Sequence, residues 1–270
     1  MMGYKMEGIQ KVWVDDKVEL AYQFINSKQS SKPLLLFLHE GLGSIGQWKG
    51  FPNIVCNQQN LDGLVYERYG YGHSTPFFEE RKPDYLYKEA EYFLPLFLQK
   101  LGLENREIIL VGHSDGASIA LIYAALFPNK IKAVISMAAH VFVDELSIKG
   151  IKEADAIYAK DDKLKNRLKK YHFDHVDSTF FAWSKMWQTP EFGKFNIEHL
   201  LSYIKAPILA IQGKQDEYGL PRQVESIVEN GANKNNEKLF IDDCQHSPHI
   251  QAQEIVLDAI QKFITKNLKL

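Results

Sequence analysis

Apolar and polar positions alternate over residues 11–14 and 18–24, on either side of Asp15-Asp16. Period-2 alternation about a short acidic turn predicts an antiparallel hairpin with one face buried. Past a Ser/Lys/Pro-rich break at 30–33 the pattern changes to Leu34-Leu35-Leu36-Phe37-Leu38, an unbroken apolar run that suits a strand covered on both faces. Short apolar runs and longer amphipathic stretches then follow in turn: strand-like at 63–66, helical at 85–101, strand-like at 108–111, helical at 117–127 and strand-like at 131–137. The rhythm resumes late in the chain, with strand-like runs at 208–211 and 238–241, a helix around 223–229 and a closing amphipathic helix at 250–268. This order predicts an α/β fold: a mainly parallel sheet, right-handed crossovers and helices on both faces. Pro95, inside the 85–101 pattern, predicts a kink or a break there.

Between 140 and 205 the strand rhythm stops. Charged helical sequence occupies 159–172, and an aromatic cluster follows, made of Phe180, Phe181, Trp183, Trp187, Phe192 and Phe195. The expected organisation is therefore a core formed by 1–139 and 206–270, interrupted by a helical cap at 140–205. A chain of 270 residues, 45% hydrophobic, is long enough for one such domain with its insertion.

Charge narrows the partners. The formal net charge is −2, and Lys and Arg are dispersed instead of forming a basic tract, so nucleic acid is not an expected partner. Residues 1–10 lack the apolar core of a signal peptide, and five apolar residues at 34–38 cannot span a bilayer; a soluble, cytoplasmic protein is expected. Cys56 and Cys244 are far apart and lack metal-type spacing, so they read as ordinary buried thiols, with neither a disulfide framework nor a zinc site.

Chemistry concentrates at Gly112-His113-Ser114-Asp115-Gly116, a G-x-S-x-G motif placed directly between the 108–111 strand and the helical stretch from Ala117. That strand-turn-helix setting lifts the Ser114 hydroxyl above the sheet at a helix N-terminus, in a turn only small neighbours tolerate. The plain alternative is a Gly/Ser turn that caps a helix. A serine hydroxyl is a poor nucleophile until a histidine takes its proton and a carboxylate fixes that histidine's tautomer. In the order Ser, acid, His, the acid follows a late strand and the histidine follows the next one. The 208–211 run leads through Gln212-Gly213 to Asp216, and the 238–241 run leads to His246. Glu217 competes with Asp216 and reads as a solvated loop charge; His249 competes with His246 and reads as a cap of the final helix. Asp242 and Asp243 read as turn residues. The tetrahedral oxyanion needs two backbone N–H groups, one from the residue after the nucleophile, Asp115, and one from the loop after the 34–38 strand, where Gly41 of His39-Glu40-Gly41-Leu42-Gly43 is the candidate. A merely structural glycine turn is the alternative for that loop.

On these residues the chain resembles the capped α/β-hydrolase superfamily of small esterases, carbon-carbon bond hydrolases, lactonases and haloalkane dehalogenases, over nearly its whole length. That family's oxyanion loop often reads His-Gly-x with a Trp farther along, matched here by His39, Gly41 and Trp48, while Glu40 replaces the usual glycine. Residues 68–74 resemble the family's glycine-rich turn after the fourth strand, and Ala117 stands where many relatives have glycine. A serine at the elbow, in place of aspartate, argues against haloalkane and epoxide chemistry. The resemblance implies hydrolysis of a carboxylic ester, thioester or lactone, with no metal or cofactor. Carbon-carbon hydrolysis of a vinylogous diketone uses the same triad, and a hydrolase-like small-molecule receptor is a further alternative. His140 and Phe142, where a relative's cap begins, are candidate pocket walls. Trp183 and Trp187 are either pocket walls too or simple cap core.

Overall fold

The computed structural model describes residues 8–26 and 31–268. The leader-type reading of the first ten residues falls mostly on 1–7, and part of the break at 30–33 on Ser30, both outside the described residues.

Eight strands form one sheet: β1 (Gln10–Trp13), β2 (Glu19–Ile25), β3 (Leu34–Leu38), β4 (Gly63–Glu67), β5 (Ile108–His113), β6 (Ile131–Met137), β7 (Ile208–Gly213) and β8 (Glu237–Ile241), in the order β1-β2-β4-β3-β5-β6-β7-β8. β1 and β2 pair antiparallel, as does β2 with β4, and every other pairing is parallel. The opening hairpin closes through Asp15, whose carboxylate accepts the N–H groups of Lys17 and Val18. The unbroken apolar runs have the two-sided burial they imply. Leu34, Leu36 and Leu38 enter the core on one face, Leu35 and Phe37 the core on the other, and β5 divides its residues in the same way.

The first face is covered by helix Asp115–Leu126, the 85–100 segment and helix Arg222–Asn230; the second by helices Phe51–Gln59 and Gln253–Asn267. Helix Phe51–Gln59 lies where the hydrophobic pattern announced no element. Its buried residues are only Phe51, Pro52, Val55 and Cys56, a stripe too short to stand out from its surroundings. Pro95 does not break the helix. Tyr85–Lys88 runs into a π-helical turn, Glu89–Phe93, and then into Leu94–Lys100. Widening the turn before proline relieves the clash of its ring with a preceding carbonyl.

Residues 140–205 are helical: Glu145–Lys160, Asp162–His172, Val176–Trp187 and the short Glu198–Leu201. The expected helix at 159–172 is divided at Asp161, whose carboxylate accepts the Lys163 N–H and starts a new helix, so Ala159 and Lys160 belong to the one before. Among the described residues no helix is long and apolar enough to cross a membrane, and no group of three or more His, Cys, Asp or Glu could hold a metal ion. Cys56 and Cys244 are buried free thiols.

Candidate active site

The parallel strands deliver the site at their C-terminal ends. β5 stops at His113 and helix Asp115–Leu126 starts two residues later, leaving Ser114 to make the whole turn with φ 53° and ψ −121°. Its N–H donates to the Met137 carbonyl on β6 at 2.9 Å, and its carbonyl accepts from Ala117 and Ser118 at 2.8 and 3.0 Å. The flanking glycines are steric necessities: a Cβ at Gly112 would overlap the Gly116 carbonyl oxygen, and one at Gly116 would overlap the carbonyl of Leu38 on β3.

Asp216 follows β7 and His246 follows β8. His246 Nε2 lies 2.9 Å from Ser114 Oγ, and its Nδ1 lies 2.8 Å from Asp216 Oδ1. Asp216 also accepts the Tyr218 N–H at 2.9 Å and the Gln212 amide at 3.1 Å. All three side chains are nearly buried, at 7%, 7% and 9% exposure for Ser114, Asp216 and His246. Burial alone would depress the imidazole, but the Asp216 charge and hydrogen bond outweigh it, helped by Glu40 and Glu217, and hold His246 above its ordinary value. Burial likewise opposes ionisation of Asp216, yet the His246 interaction dominates and its pKa is lowered to about 2. The arrangement therefore suits an ionised carboxylate that orients and stabilises an imidazolium.

Glu217 is more than a solvated loop charge, since its carboxylate accepts the His246 N–H at 3.2 Å. His249 does not cap the last helix; it is buried against the rings of Trp48, Phe51 and His113. Asp243 takes a turn conformation with φ 53°. Glu40 directs its carboxylate to His113 Nδ1 at 3.3 Å, while His113 Nε2 donates to the His246 carbonyl at 2.8 Å. Burial lowers the His113 pKa despite the opposing Glu40 charge.

The two candidate oxyanion donors are free: among the described residues, neither the Gly41 N–H nor the Asp115 N–H donates to a protein acceptor. Gly41 shares the cavity surface with Ser114 and lies against the Trp183 indole, which a Cβ there would overlap. The cavity above Ser114 has a volume of about 900 Å³. His140, Trp183 and Trp187 line it, with Ile151, Leu164 and Leu168 from the 140–205 helices. Phe142 is not among its walls; it forms a bridge with Asn196 and its carbonyl accepts from Gln223.

Sequence reasoning missed Arg68, which is 2% exposed and faces Asp115 and the 39–40 backbone. The available signal was a charged pair, Glu67-Arg68, at the very end of a buried strand, where the chain reaches the site.

A strand, a strained serine turn and a helix, with an acid and a histidine delivered by the last two parallel strands of the sheet, define an α/β-hydrolase architecture. The alpha/beta hydrolase fold family model matches residues 33–189, and the chain belongs to that family. It is 28% identical over 208 residues to the serine hydrolase BPHL of Mus musculus, covering 74% of this chain and 67% of that one. A Mycoplasma genitalium protein named as an esterase/lipase is 26% identical over 267 residues, covering 91% and 94% of the two chains. Among solved structures, an alpha/beta hydrolase enzyme from a Medee basin deep-sea metagenome library superposes with a TM-score of 0.75 at 17% identity, covering 97% of this chain and 98% of the other.

Proposed function

We propose that this chain is a serine hydrolase that cleaves a carboxylic ester, or a thioester or lactone, through an acyl-enzyme on Ser114. The observation that carries the reading is the continuous Ser114–His246–Asp216 hydrogen-bond chain opening onto a cavity of about 900 Å³.

His246 Nε2 takes the Ser114 proton as Oγ attacks the carbonyl carbon, and Asp216 stabilises the imidazolium through Nδ1. The oxyanion forms toward the Gly41 and Asp115 N–H groups. His246 then protonates the leaving oxygen or sulfur, the tetrahedral intermediate collapses, and the acyl group remains on Ser114. Water enters, loses its proton to His246 and cleaves the acyl-enzyme, regenerating the Ser114 hydroxyl. In this reading residues 140–205 are a cap on the core of 1–139 and 206–270, and its Ile151, Leu164 and Leu168 with the two indoles receive the apolar part of the acyl group.

Turnover of short- and medium-chain p-nitrophenyl esters by the protein and its Ser114→Ala variant tests the proposal. The expected result is many turnovers by the parent and a loss of about 10³-fold or more in the variant; equal rates would refute it. A second reading, carbon-carbon hydrolysis of a vinylogous diketone, is favoured by one observation: Lys49, Lys163 and Arg167 also line the cavity, where carboxylate tails would meet them. Turnover of such a diketone with ester turnover near background would select it.

A further inference from the structure

One buried cation touches both segments that carry the candidate oxyanion donors. Arg68 Nη2 donates to the Glu40 carbonyl at 2.6 Å and to the His39 carbonyl at 3.3 Å, and Nη1 lies 3.6 Å from Asp115 Oδ2. The Arg68 N–H also donates to His39 Nε2 at 3.1 Å, which places the His39 proton on Nδ1, where it is donated to the same Glu40 carbonyl at 2.8 Å. The Gly43 N–H reaches that carbonyl too, at 3.1 Å. Three donors thus converge on one oxygen.

That oxygen belongs to the peptide unit whose other end is the Gly41 N–H. The unit is planar and trans, so fixing its carbonyl on one side aims its N–H at the opposite side, and Gly41 itself lines the cavity. A cation on the carbonyl also polarises the peptide and makes its N–H a stronger donor, by about 10–30% per bond in such chains. On the other segment, Asp115 Oδ2 accepts the Tyr85 hydroxyl at 2.9 Å, and Tyr85 in turn accepts the Trp187 indole N–H at 3.1 Å. Both side chains of the Arg68–Asp115 pair are at most 2% exposed, and the guanidinium lies over the Tyr71 ring at 4.6 Å, so neither is available to substrate.

We propose that Arg68 is a positioning residue for the oxyanion hole: by holding the Glu40 carbonyl and the Asp115 carboxylate together, it sets the direction and strength of the Gly41 and Asp115 N–H donors. The inference rests on the proposed acyl-enzyme chemistry and goes beyond it by assigning work to a residue that never meets the substrate. A structural pair only would affect folding; a positioning pair changes transition-state binding in a folded protein.

The test uses the full chain as Arg68→Met/Asp115→Asn, which removes both buried charges together and keeps the Asp115 backbone N–H, with Arg68→Lys as the conservative variant. Three quantities are read: kcat and KM for a p-nitrophenyl ester, inhibition by a trifluoromethyl ketone that forms an oxyanion on Ser114, and the rate of Ser114 labelling by a fluorophosphonate. The expected result is a fall in kcat of about 10- to 100-fold with KM nearly unchanged, a matching loss of ketone affinity, and partial recovery in Arg68→Lys. A folded double variant with parental kcat and ketone affinity overturns the proposal, as does a change confined to KM. Labelling needs no substrate, so it separates the two readings. If the parent cleaves no ester, the ester-hydrolysis reading fails; slower labelling of folded Arg68 variants still supports the positioning role, and unchanged labelling overturns it.

Discussion

Replacing Ser114 by glycine should leave a more stable protein than replacing it by alanine, although both variants lose the hydroxyl and its bond to His246. At φ 53° and ψ −121°, Ser114 sits where any residue with a Cβ is strained, at a cost of about 1–3 kcal/mol. Alanine inherits that strain and glycine does not. Glycine also gives the unfolded chain more freedom, which takes back about 0.4–1 kcal/mol. The difference in favour of Ser114→Gly is then about 0.5–2 kcal/mol. Over a chain of 270 residues, an unfolding entropy of about 2.1 cal/mol/K per residue converts it to a melting temperature about 1–4 °C higher. Scanning calorimetry and urea unfolding of the two variants at one pH measure it, with circular dichroism to confirm a common fold. If Ser114→Ala is as stable as Ser114→Gly, or more so, the turn is not strained and the argument that neighbouring contacts hold the serine in an unfavourable conformation fails.

Two further outcomes follow from the site. Because Asp216 holds the His246 pKa above its ordinary value, the acid limb of kcat/KM in the parent should rise through a pH above the usual imidazole range. In Asp216→Asn it should move to lower pH while the plateau falls by about 10³- to 10⁴-fold; an unmoved limb in the pH–rate profile would contradict the assignment. Gly41→Ala should force the Trp183 indole aside, costing about 1–3 kcal/mol of stability in urea unfolding. Adding Trp183→Leu should return most of that loss, and no recovery would mean the contact is not what limits the site.

The order of elements, the serine turn and the sequence positions of Asp216 and His246 were all legible from local pattern. Each depends on residues adjacent in the chain: the period of apolar positions, glycines two residues either side of Ser114, an acid and a histidine just beyond late apolar runs. The same logic fell short where the local signal was weak or ambiguous, as at helix Phe51–Gln59 with its short buried stripe or at Pro95, where a proline reads as a kink or a break and the helix continues through a π-helical turn. The helices between 140 and 205 were visible as a loss of strand rhythm, yet their boundaries depended on Asp161 capping a new helix. What only the tertiary structure decided are contacts across long stretches of chain. Arg68 reaches the Glu40 carbonyl and Asp115, Glu40 reaches His113, His113 reaches the His246 carbonyl, and Trp183 lies against Gly41. The physical reason is that periodicity reports which face of an element is buried, whereas pairing between elements depends on strand order and on how the loops at the strand ends pack together.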